Sequence, residues 1–128
     1  MSFHMIIAVA TGGALGSVAR LLIQSSVNQF FGFSFPFGTI IINILGSLFL
    51  GVFLELISHN YSISSEIKAF VVIGILGAFT TFSTFSFEFV TLWTRDEILL
   101  AYIYLLGSVF FGITAFVIGT IITKSLSQ

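Results

Sequence analysis

The chain has 128 residues, of which 57% are hydrophobic and 7% charged, and its mean hydropathy is +1.17. An ordinary soluble domain carries about 25% charged residues, so this composition belongs in a bilayer and leaves no length for a soluble catalytic domain. A net charge of −1 with four Lys or Arg argues against a nucleic-acid partner, and the absence of cysteine excludes disulfides, thiolate metal sites and cysteine nucleophiles.

Met1 to Met5 carry no Lys or Arg ahead of the first apolar run, which is unlike a cleaved signal peptide. Crossing a hydrocarbon core takes roughly 20 apolar residues. Four such runs fit a single domain, at about residues 5–24, 37–57, 67–93 and 98–122. The expected fold is therefore an all-α integral membrane protein with four transmembrane helices.

The first span holds Gly12 and Gly16 as a GxxxG pair, beside Gly13, a pattern that lets two helix backbones approach closely. Arg20 follows one turn later, near the span's end, where it can snorkel or bond loop carbonyls. The polar patch Gln24-Ser25-Ser26-Val27-Asn28-Gln29 reads as the end of the span. Pro36 suits the start of the second helix, in which Thr39, Asn43, Gly46 and Ser47 form one stripe at steps of three to four. An amide such as Asn43 is either interhelical glue or a source of two N–H donors for an anion.

His59-Asn60-Tyr61-Ser62 reads as a loop, with an N-cap among Ser64-Ser65-Glu66. The third span is longer than a bilayer requires and contains Gly74, Gly77 and the run Thr80-Thr81-Phe82-Ser83-Thr84. That content predicts an interrupted helix rather than a tilted one. Phe79, Phe82, Phe85 and Phe89 line up at helical steps, while Thr80, Thr84 and Thr91 gather near a second face. Aromatic stripes usually pack, but a phenyl ring has a positive edge that attracts an anion weakly. Weak attraction suits a pore, which must both admit and release its ion.

Thr94-Arg95-Asp96-Glu97 separates the third span from the fourth. With four spans, Lys68 and Lys124 fall on one side of the membrane and Arg20 and Arg95 on the other, so positive charge specifies no orientation. Insertion in both orientations would make an antiparallel homodimer, with a two-fold axis in the membrane plane, the natural oligomer.

Gly74 through Ser86, together with Gly12-Gly13, Gly16, Arg20, Gly38-Thr39, Asn43 and Gly46-Ser47, resembles the Fluc family of fluoride channels along nearly the whole chain. The resemblance implies an antiparallel, dual-topology homodimer in the bacterial inner membrane, embedded in lipid, with two pores that export fluoride passively. It implies a fluoride path lined by the ring edges of Phe82 and Phe85 and by Asn43, with Ser83, Tyr104 and Ser108 as parts of a hydroxyl track. It also implies a structural sodium ion (Na+) on the dimer axis, held by backbone carbonyls of the third-helix break at Gly77 through Thr80. The track departs from the family's pattern at Gly112, for which Thr114 is a candidate substitute, and Thr39 and Glu88 are candidate vestibule groups.

The alternative of a different class is a proton-coupled small multidrug exporter, which is also short, four-spanned and of dual topology. Its mechanism needs an intramembrane carboxylate; the first span has none, and Glu55 and Glu88 lie toward the ends of theirs. A purely structural membrane protein would not need the stripe of Thr, Ser and Asn. Catalysis finds no support, because His4 and His59 have no nucleophile or ligand at motif spacing.

Overall fold

A computed structural model describes residues 2–59 and 63–127. Its elements are α1 (Phe3–Phe31), α2 (Phe37–His59), α3 (Ser65–Lys68), a π-helix (Ala69–Leu76), α4 (Gly77–Phe79), α5 (Phe82–Thr94) and α6 (Ile98–Leu126), with no strand among the described residues. Four helical segments are long and apolar enough to cross a membrane, the third running from Ser65 to Thr94 across all the central pieces. The loop expected at His59–Ser62 lies outside the described residues apart from His59, whose backbone ends α2.

The first span is longer than the sequence suggests. Gln24 to Gln29 continue α1, and the helix stops at Gly32, whose φ of +86° favours glycine and whose N–H donates to the Asn28 carbonyl at 2.9 Å. The polar patch is thus a helical face. Arg20, expected near the span's end, consequently sits well inside it.

Helix α1 packs against the π-helix and α2 against α6. On the first contact a Cβ at Gly12 would meet the Phe70 carbonyl, and one at Gly16 the Ile75 carbonyl. On the second, Gly51 abuts the Phe116 carbonyl and Gly119 the Leu48 carbonyl. Lipid tails compete for apolar side chains, so close backbone approach through small residues is what holds such helices together. The glycine pair therefore packs, as its spacing predicts.

The third span is broken at the C-terminal end of the expected stretch. Gly77 remains helical (φ −65°, ψ −37°), whereas Thr80 (φ −84°, ψ 160°) and Thr81 (φ −151°, ψ 121°) are extended. Gly74 serves a close contact instead, since its Cβ would lie 2.9 Å from the Gly12 Cα. After the break, α5 and α6 are joined by a tight turn in which Asp96 N–H donates to the Trp93 carbonyl and Glu97 N–H to the Leu92 carbonyl, both at 3.1 Å. Asp96 takes the left-handed conformation (φ 60°) that this C-terminal motif needs.

Candidate functional site

Two extended residues inside a membrane helix release backbone groups that lipid cannot satisfy, so each needs a partner in the protein or must line a cavity. Asn43 of α2 supplies two. Its Oδ1 accepts from the Thr81 N–H at 2.8 Å and its Nδ2 donates to the Thr81 carbonyl at 3.1 Å. Thr80 N–H and its hydroxyl both turn back to the Leu76 carbonyl, at 3.1 and 3.0 Å. Arg20 Nη1 approaches the Thr80 carbonyl at 3.5 Å, so the cation expected at a loop stands beside the break.

Thr81 then starts the second arm. Its hydroxyl oxygen accepts from the Thr84 N–H at 3.2 Å, an N-cap for α5, and contacts the Ser83 hydroxyl at 3.3 Å. Because the Thr81 N–H points to Asn43, it does not close the ordinary helical bond back to Gly77. A cleft of about 290 Å³ opens along the break between α2 and the third span, lined by Asn43, Gly46, Ser47, Gly77, Thr80 and Phe82.

Phe82 and Phe85 follow the break one turn apart and differ sharply in burial. Phe82 is 79% exposed and Phe85 is 8% exposed. Their ring centroids are 5.6 Å apart, and Phe85 in turn stands 5.1 Å from the Tyr104 ring of α6. The aromatic line therefore runs from the surface of the chain inward to a fully buried tyrosine.

Tyr104 belongs to a polar chain through all four spans. Its hydroxyl donates to Glu88 Oε2 at 2.7 Å, the Thr39 hydroxyl donates to Glu88 Oε1 at 2.9 Å, and Gln24 Nε2 donates to Thr39 Oγ1 at 2.9 Å. Glu88 thus has a donor on each oxygen inside the bundle, which is how a carboxylate at such depth is tolerated. A second cleft, of about 180 Å³, reaches it from the α1–α2 and α5–α6 loops, past Asn28, Ser34, Thr91 and Arg95.

Residues 7–120 match the family described as CrcB-like protein, Camphor Resistance (CrcB). The chain belongs to this CrcB-like family. Its relatives include a protein of Nitrobacter winogradskyi that is 42% identical over 124 residues, covering 97% of this chain and 98% of its own. One from Aquifex aeolicus is 38% identical over 122 residues, covering 95% and 98%. Another, from Agrobacterium fabrum, is 41% identical over 118 residues, covering 92% and 94%. Each of the three is named fluoride-specific ion channel FluC. Four apolar spans and CrcB-like membership make the chain a multi-pass membrane protein of a bacterial type.

Within this CrcB-like fold the residues singled out from the sequence fall in four places. Asn43, Thr80, Ser83 and Phe82 surround the break, while Phe85, Tyr104 and Thr39 form the buried aromatic and polar chain. The Ser108 hydroxyl is buried with no hydrogen-bond partner among the described residues, and on the next turn a Cβ on Gly112 would lie 3.8 Å from Ser47 Oγ of α2. Thr114 is elsewhere, lining a shallow apolar groove with Leu106, Gly107, Phe110 and Ile113. Gln24 escaped notice because it sits in a patch that reads as loop; its spacing of four from both Arg20 and Asn28 was the available signal.

Proposed function

We propose that the chain is a fluoride channel, not an enzyme, which lets fluoride leave the cytoplasm passively across the bacterial inner membrane. The observation that carries the reading is the broken third span, from which Phe82 and Phe85 descend as a ring pair toward Tyr104. The relatives' names supply the ion.

Fluoride is small and strongly basic, so it must exchange water for hydrogen-bond donors and positive ring edges. Asn43 uses one amide proton on Thr81 and keeps a second for the ion. The Ser83 and Ser108 hydroxyls extend the donor series, and narrowness with few charges disfavours chloride. Neutral donors release the ion readily, where a bare Lys or Arg would hold it.

The exposure of Phe82 supports an antiparallel homodimer with two pores, since a ring so placed needs a second copy to complete a path. A sodium ion on the axis fits the donor set: hard cations take carbonyl oxygens, and Thr81 turns its N–H from Gly77 to Asn43. The Gly77 and Thr80 carbonyls of both copies would hold it. The long Arg20 contact leaves the Thr80 oxygen a second lone pair. Bound there, sodium would supply positive potential and tie the two breaks together.

The test is efflux from liposomes containing the purified protein, with potassium and valinomycin to relieve charge build-up. Rapid fluoride release without chloride release is the expected result; equal release of the two anions, or none, rejects the reading.

A further inference from the structure

We infer that Gln24 is a positioning residue for the pore, setting the direction of the hydrogen-bond chain that orients Tyr104 and, through it, Phe85. The inference rests on the reading of the aromatic line as the fluoride route.

Thr39 has one hydroxyl proton and is only 1% exposed, so its orientation is decided entirely by neighbours. Gln24 Nε2 donates into the Thr39 oxygen at 2.9 Å, which turns the threonine proton away from α1 and toward Glu88 Oε1. With Oε1 satisfied by Thr39, Oε2 takes the Tyr104 hydroxyl at 2.7 Å. Linked donors polarise one another, so the end of such a chain depends on its beginning. The last member, Tyr104, is fully buried and stands ring to ring with Phe85.

The seat for Gln24 is built into α2. A Cβ at Gly38 would fall 2.8 Å from Gln24 Cγ and 2.6 Å from Asn28 Oδ1, so only the absence of a side chain there lets the amide reach Thr39. Both polar residues lie on one face of α1, a turn apart, and meet the start of α2 across this glycine. The hydrogen bond from Gln24 to Thr39 is the link that joins this seat to Glu88, Tyr104 and the aromatic pair.

A double-mutant cycle reads that route. Gln24→Leu should slow fluoride efflux about fivefold, the scale of one lost hydrogen bond. In a Thr39→Val background the same change should alter efflux by less than about 1.5-fold, because the relay is already cut. Equal slowing in both backgrounds would mean that Gln24 only packs, and would overturn the inference. A second readout needs no conduction. The 15N-labelled side-chain amide of Gln24 should shift when Tyr104→Phe removes the far end of the chain. An unmoved resonance overturns the inference, even if Thr39→Val itself abolishes efflux. Failure of the wild type to pass fluoride would instead sink the functional reading and leave the resonance test intact.

Discussion

Asn43 and Thr81 exchange hydrogen bonds in both directions: the amide oxygen takes the threonine N–H at 2.8 Å and the amide nitrogen serves its carbonyl at 3.1 Å. One side chain thus does for an extended residue what a neighbouring strand does in a sheet. The break in the third span exists because α2 brings this amide to it.

Removing the amide should therefore cost more than a pore donor. Asn43→Ala strands both a buried N–H and a buried carbonyl, each worth about 1–3 kcal/mol when unsatisfied. The expected outcome is a clear loss of thermal stability in detergent, together with slowed efflux. Unchanged stability would show that the break closes without Asn43.

Thr81 holds the start of α5 through its hydroxyl. Thr81→Val should lower stability by about 1 kcal/mol, as cap removal typically does, while Thr81→Ser should keep the cap. Thermal unfolding of the two variants side by side distinguishes capping from packing of the methyl group, because only the serine variant retains the acceptor.

Gly13 and Gly16 of α1 make opposite predictions only three residues apart. At Gly16 a methyl group meets the Ile75 carbonyl, so Gly16→Ala should cost about 1–3 kcal/mol through forced separation of the helices. At Gly13 an added Cβ meets nothing within 4 Å from other elements among the described residues, and Gly13→Ala should be neutral or stabilising by up to about 1 kcal/mol. Unfolding temperatures in detergent check the pair; a shared effect would contradict the packing assigned to Gly16.

Gly112→Ser should be accommodated, since the new Cβ would stand 3.8 Å from Ser47 Oγ. It places a hydroxyl beside Ser47, one turn along α6 from the buried Ser108 hydroxyl. Yield and unfolding temperature equal to wild type are expected, and a large loss of either would show that the α2–α6 contact has no room at this position.

Much of the architecture is legible in the sequence for a physical reason: a bilayer demands long apolar runs, and glycines at GxxxG spacing mark close helix contact. The end of α1 was not, because Gln24 and Asn28 look like loop residues until Gly38 is seen opposite them. The break is expected over Gly77 through Thr80, and it falls at the end of that stretch, on Thr80 and Thr81, rather than at the glycine. There the alternative partners are available: Asn43 for the backbone and the Thr81 hydroxyl for the following cap. Gly74 spends its missing side chain on contact with α1 instead. The π-helix at Ala69–Leu76 has no visible sequence signal. For Glu88 the carboxylate was visible but its partners were not, since Thr39 and Tyr104 are 49 and 16 residues away.

Efflux through Phe82→Ile decides whether fluoride passes along the ring edges of Phe82 and Phe85. Phe82 is largely exposed in the single chain, so its replacement leaves the fold of each copy intact and isolates conduction from stability. With dimer assembly verified by cross-linking, fluoride-electrode recordings from liposomes should show strongly slowed release for Phe82→Ile and rapid release for wild type. Release at the wild-type rate by an assembled Phe82→Ile protein would mean that the ion takes another route and that the aromatic line is packing.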